Sequence, residues 1–128
     1  MPSSLITGVS GQDGSYLAEL LLSLGHSVIG VTRRVSSGHY HNNISAIIRD
    51  KDFNLIQGDI TDYSFIYDTV KKHKPDFWYN LAAQSNVGQS FVEPATAFET
   101  NSKSVMMQLK AISELSPGTR FYQALTTE

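Results

Sequence analysis

The sequence predicts an α/β fold: about five parallel strands in one doubly wound sheet, with helices on both faces. Three observations predict it. Short apolar runs alternate with longer segments of helical period along the whole chain. A glycine-rich turn joins the first of these runs to the first helical segment. The 128 residues are 41% hydrophobic and only 17% charged, against about 25% charged in a typical domain. A chain of this size can bury a core, so residues 1–128 read as one domain.

Ser4–Thr7 is the first strand, a short run that ends at Gly8. Gln12–Leu24 is the first helix, with Leu17, Leu20, Leu21 and Leu24 at helical spacing and Gly25 as its stop. Ser27–Thr32 is rich in β-branched residues and forms the second strand. Residues 33–43 are polar and read as a loop, followed by a short helix over Ile44–Arg49. Phe53–Gln57 is the third strand. Asp62 is the N-cap of a helix that runs to about His73, with Pro75 beyond it. Asp76–Leu81 is the fourth strand, and its Phe77, Trp78 and Tyr79 read as core packing rather than a platform for stacking bases. A long helix follows over Phe98–Glu114, stopped by Pro117-Gly118, and Arg120–Ala124 is the fifth strand. Parallel strands joined in this way require right-handed crossovers through helices.

Composition narrows the function. With 10 basic and 12 acidic residues the net charge is −2, so nothing draws the chain to nucleic acid or to an anionic membrane. The longest apolar stretch, Tyr16–Leu24, is far short of the ~20 residues that a membrane span needs. No signal-type segment opens the sequence. The absence of cysteine excludes a disulfide scaffold and a Cys-ligated zinc site, and is compatible with the reducing cytoplasm. His39 and His41 form an H-x-H pair in the polar loop, but no third ligand accompanies them, so no metal is expected.

The chemistry-bearing signal is Gly8-x-x-Gly11-x-x-Gly14 at the first strand–helix junction. Gly8 permits a tight turn out of the strand. Gly11 removes a side chain where backbone must approach a diphosphate, and Gly14 lets the helix lie close to the sheet. The N–H groups at the helix start then bind the phosphates of a dinucleotide, as in Rossmann-type folds. No Gly-Lys-Ser/Thr closes the motif, which argues against a P-loop. At the end of the second strand, where an NAD-specific domain offers a carboxylate, stand Arg33 and Arg34. Two guanidiniums suit a 2′-phosphate, so NADP is expected over NAD. Asp59 and Ile60 follow the third strand. Asp59 either accepts a hydrogen bond from the adenine amino group, with Ile60 covering the ring, or serves the turn into the next helix.

Five runs, in this order, resemble the GDP-mannose 4,6-dehydratase family of extended short-chain dehydrogenase/reductases: T-G-V-S-G-Q-D-G-S-Y-L-A-E, V-T-R-R, G-D-I-T-D, Y-N-L-A-A-Q-S-N-V and F-Y-Q-A-L-T-T-E. The resemblance implies a redox-neutral dehydration of GDP-mannose to GDP-4-keto-6-deoxymannose. A hydride leaves C4 of the sugar, water is lost across C5 and C6, and the hydride returns at C6. It further implies that Gly8, Gly11, Gln12, Asp13, Gly14 and Arg33 hold the phosphates of NADP, with Asp59 and Ile60 flanking the adenine. Leu81, Ala82, Gln84 and Ser85 would line the path to nicotinamide and sugar. Thr126 would hydrogen-bond the sugar hydroxyl, and Glu128 would act as acid and base at C5 and C6. A homo-dimer or homo-tetramer is implied as well, with the loop of His39 and His41 reaching a neighbouring subunit.

The family continues with a Tyr-x-x-x-Lys pair on the helix after the fifth strand, whereas this sequence ends at Glu128. Tyr67 and Lys71 have the spacing but lie between the third and fourth strands. Leu125 stands where the family favours a small hydroxyl residue, and Thr96 where it often has tyrosine. The expectation is therefore a fold that lacks its C-terminal strands and substrate lobe and does not turn over by itself. An epimerase or reductase of the same superfamily and a non-catalytic NADP-binding module are the alternatives.

Overall fold

The computed structural model describes residues 1–33, 44–81 and 94–123, with the side chains of the last stretch described from residue 103. In chain order it contains β1 (Ser3–Thr7), α1 (Gln12–Ser23), β2 (Ser27–Thr32), β3 (Phe53–Gln57), α2 (Tyr63–His73), β4 (Phe77–Asn80), α3 (Pro94–Leu115) and β5 (Arg120–Gln123). The strands form one sheet in the order β3-β2-β1-β4-β5, and every neighbouring pair is parallel. The strand order reverses direction between β1 and β4. In open sheets of this kind the crevice for a ligand lies at the carboxyl ends of the strands at that point.

The side-chain alternation of each strand builds a core on both faces of the sheet. On one face Leu5, Ile29, Val31 and Trp78 meet Ile66 and Val70 of α2 and Ala111 and Ile112 of α3. On the other, Ile6, Val28 and Phe53 meet Val9, Ala18 and Leu21, together with Ile44 and Ile47. Each such aliphatic or aromatic side chain contributes roughly 1.5–3 kcal/mol on burial. Trp78 is core, as its strand position predicts, and its indole N–H donates to Gln108 Oε1 at 2.7 Å. Gln108 Nε2 donates to Ser104 Oγ at 3.0 Å, and the Ser104 hydroxyl donates to the Ile60 carbonyl at 2.8 Å. This chain of bonds ties α3 to β4 and to the loop after β3. Phe77 and Tyr79 point to the opposite face, where Tyr79 stacks on Tyr122 at 5.1 Å.

Some details differ from the sequence reading. The face that α1 turns to the sheet is Gly14, Ala18 and Leu21, while Leu20 and Leu24 are exposed. Small residues at 14 and 18 bring the helix so close that larger side chains can only flank the contact. Residues 45–49 are a run of turns instead of a regular helix, with bonds from the Ile47 and Ile48 N–H groups to the Ile44 carbonyl. Three isoleucines in five positions disfavour a helix, and the chain needs only to bury Ile44 and Ile47 before entering β3. The long helix starts at Pro94, four residues before Phe98, because proline at the first helical position has no N–H to lose. The fourth strand is shorter by one residue at each end. The N-cap of α2 is formed as expected, with Asp62 Oδ1 accepting from the Ser64 N–H at 3.0 Å.

A methyl group at Gly14 would lie 2.3 Å from the Gly8 carbonyl oxygen and 2.9 Å from Val9 Cα. Both obstacles are backbone and cannot swing aside. Gly14→Ala is therefore expected to cost about 2 kcal/mol or more in urea unfolding. Gly118→Ala, where a methyl would meet nothing within 4 Å, should change stability by less than about 0.5 kcal/mol.

Candidate functional site

The turn from β1 into α1 is fixed from three sides. Gly8 has φ +72°, a left-handed conformation that favours glycine. The N–H groups of Gly8 and Val9 both donate to the Val31 carbonyl, at 3.0 and 3.2 Å, which pins the turn to β2. The Gly11 N–H donates to the Gly8 carbonyl at 3.1 Å and closes the turn. Gly11 is the N-cap of α1, with extended backbone and no side chain capping the helix. The positive end of the helix therefore carries no side-chain bond from its N-cap residue. Among the described residues, a methyl at Gly11 would touch only the Gly8 oxygen, at 3.4 Å. Gln12 and Asp13 occupy the first turn and are exposed. A helix start of this kind suits an anion, through its N–H groups and its dipole.

A second group of residues stands at the ends of β2 and β3. Ser10 Oγ lies 3.3 Å from Thr32 Oγ1 and links the glycine turn to the last residue of β2. Arg33 follows, exposed, with its Nε 3.8 Å from Asp59 Oδ2. The other carboxylate oxygen of Asp59 accepts from the Thr61 N–H at 2.9 Å and from the Thr61 hydroxyl at 2.8 Å. The turn role that the sequence left open for Asp59 is thus formed. Partial burial opposes ionisation of this carboxyl, but the two bonds from Thr61 and the Arg33 charge outweigh it and hold its pKa below the usual 3.8. Ile60 is half-buried and packs against the cluster around Trp78.

At the end of β4, the Leu81 N–H donates to Thr7, at 3.1 Å to the hydroxyl and 3.2 Å to the carbonyl. The strand ends thus bring together Gly8, Gly11, Gln12, Asp13, Gly14, Arg33, Asp59, Ile60 and Leu81. Arg34, Ala82, Gln84, Ser85, Thr126 and Glu128, like His39 and His41, lie outside the described residues. Among the described residues, no group of three or more side chains could hold a metal ion.

One feature of the site escaped the sequence reading. Thr7, Asn80 and Gln123 are register partners across β1, β4 and β5. The Thr7 hydroxyl donates to Asn80 Oδ1 at 2.6 Å, and Asn80 Nδ2 donates to Gln123 Oε1 at 2.7 Å. Asn80 is 2% exposed, and this polar ladder crosses the topological switch point between β1 and β4. An asparagine ending a short aromatic strand was the available signal, since a buried amide must find partners.

The sequence model of GDP-mannose 4,6 dehydratase matches residues 5–128. The chain belongs to the GDP-mannose 4,6-dehydratase family. A GDP-mannose 4,6-dehydratase of Yersinia enterocolitica is 44% identical over 135 residues, which cover 100% of this chain and 36% of the relative. The human GDP-mannose 4,6 dehydratase is 38% identical over 133 residues, covering 98% of this chain and again 36% of the relative. This dehydratase-family chain therefore spans little more than a third of the length of the curated relatives it matches. Among solved structures, the UDP-glucose 4-epimerase of Thermotoga maritima with UDP-glucose superposes with a TM-score of 0.79 at 26% identity, over 97% of this chain and 38% of that one. The UDP-Glc/GlcNAc 4-epimerase of Campylobacter jejuni reaches a TM-score of 0.85 over 99% of this chain and 38% of that one, at 17% identity, a likeness of fold alone.

Asn80→Ala removes the acceptor of one buried bond and the donor of a partly buried one, and is expected to cost about 2–3 kcal/mol in urea unfolding. The Asp59 carboxyl has a lowered pKa in the folded state, so its contribution to stability is complete above its unfolded value near 3.8 and fades as pH falls through the folded value. Asp59→Asn keeps an acceptor for Thr61 and should flatten the stability profile only in that acid range, as read by thermal unfolding against pH.

Proposed function

We propose that this chain is the NADP-binding part of a GDP-mannose 4,6-dehydratase, a lyase that converts GDP-mannose to GDP-4-keto-6-deoxymannose without net oxidation. The observation that carries the reading is the glycine turn: a helix start with no side-chain cap, held against the sheet at the strand ends, in a chain that the family's sequence model matches over residues 5–128. NADP, when bound, supplies the acceptor and donor for the hydride of the sugar ring.

The chain's own residues take the other tasks. Backbone N–H groups at Gly11–Gly14 hold the diphosphate, where the helix dipole favours negative charge. Arg33 and Arg34 take the 2′-phosphate, and Asp59 and Ile60 border the adenosine end. Leu81, Ala82, Gln84 and Ser85, at and after the end of β4, line the way to the nicotinamide. Thr126 and Glu128, which follow β5 in the sequence, take the sugar. Thr126 orients the sugar hydroxyl. The Glu128 carboxylate takes the C5 proton and delivers a proton to the departing C6 hydroxyl, which leaves as water. The protein works as a homo-oligomer in the cytoplasm, on a sugar nucleotide and not on nucleic acid or a membrane.

Calorimetric titration with NADP and with NAD tests the reading. We expect NADP to bind at least about tenfold more tightly, and Arg33→Ala to weaken NADP by about 10- to 100-fold through loss of charge-assisted bonds. A preference for NAD, or no binding of either, would overturn it.

A further inference from the structure

We infer that Ser104 is a positioning residue for the adenine end of the nucleotide site: its buried hydroxyl, on α3, holds the Ile60 carbonyl in the turn that leaves β3. This assignment rests on the NADP reading above and deepens it.

The proton of that hydroxyl is committed by its neighbours. An indole N–H can only donate, and that of Trp78 donates to Gln108 Oε1 at 2.7 Å. The Gln108 amide is thereby oriented, with its Nε2 donating to Ser104 Oγ at 3.0 Å. Ser104 accepts there and gives its one proton to the Ile60 carbonyl at 2.8 Å. Trp78, Gln108 and Ser104 are 1%, 0% and 2% exposed, so bulk water offers these groups no substitute partner. An apolar side chain would fill the place of Gln108 without any need for partners. What the polar pair adds is a bond of fixed direction to one backbone carbonyl outside the helix.

That carbonyl lies where a tether matters. β3 is the last strand on its side of the described sheet, so its carboxyl end has a strand neighbour on one side alone. The turn after it begins with the Gly58 N–H on the Thr32 carbonyl, at 3.0 Å, and with the Phe65 ring packed where a methyl at Gly58 would stand. Its end is bonded within the turn, the Asp62 N–H donating to the Asp59 carbonyl at 2.9 Å. Ile60 stands between them, half-buried against the core cluster of Trp78, and the Ser104 bond ties its backbone to α3. An aliphatic side chain that covers an adenine ring contributes fully only when it is already in place, because ordering it on binding costs affinity. Loss of the Ser104 hydroxyl removes the tether and lets the turn shift toward a new partner for that carbonyl.

Calorimetric titration with NADP and with adenosine 2′,5′-bisphosphate, its adenosine half, tests this on the unmodified protein, Ser104→Ala, Ser104→Thr and Ile112→Val. Ser104→Ala is expected to weaken both ligands by the same factor, about three- to tenfold. Ser104→Thr keeps the hydroxyl and is expected to bind both within about twofold of the unmodified protein. Ile112→Val thins the buried face of the same helix without touching the bond, so it is expected to lower the urea midpoint and to leave both affinities within about twofold. An unchanged affinity in Ser104→Ala, a loss seen with NADP but not with the bisphosphate, or an equal loss in Ile112→Val or Ser104→Thr would overturn the assignment while leaving the cofactor reading intact. An unmodified protein that binds neither ligand would overturn both.

Discussion

The contact on which the rest of this structure depends is between two pieces of backbone: the start of α1 at Gly14 and the end of the β1 turn at Gly8. No side chain can stand between them, because a single methyl at Gly14 would already overlap the Gly8 carbonyl. That closeness determines where the helix begins, which of its faces meets the sheet and where its positive end points. Ala18 and Leu21 continue the same buried line, so the helix stays near the sheet along its length. The larger leucines at 20 and 24 are left outside as a consequence.

The crevice is built from features of opposite kind. Its rim is backbone: a left-handed glycine, a helix start without a side-chain cap, and carbonyl–amide bonds that lash the turn to β2. Beside it runs a row of side-chain hydrogen bonds from buried Thr7 through buried Asn80 to exposed Gln123. Paired polar groups in a low-dielectric setting hold their geometry firmly, because losing one partner strands the other. The strands that a ligand must straddle, β1 and β4, are therefore joined both by their ladder and by side chains at their carboxyl ends. Further along the rim, Arg33 and Asp59 add charge where the ends of β2 and β3 come together.

Much of this was legible in the sequence because the signals were local. The β-branched run Ser27–Thr32 and the run Phe53–Gln57 became strands with those bounds, and Asp62 capped its helix. The glycine triplet announced the turn because each glycine answers a local steric demand. What escaped was set by tertiary geometry. The buried face of α1 could not be read from the leucine spacing, since proximity at Gly14, and not hydrophobicity, chose it. The ladder through Asn80 depends on which strands become neighbours, a property of topology that no local pattern carries. The same is true of the pairing of Arg33 with Asp59, 26 positions apart in the chain.

The most direct measurement of the central claim is a titration of the isotopically labelled protein with NADP, followed by amide chemical shifts. We predict that the largest and saturable shifts fall on the backbone amides of Gly11, Gln12, Asp13 and Gly14. If those amides stay still while NADP binding moves signals elsewhere, for instance around the exposed Tyr122, the helix start is not the phosphate site and the assignment fails.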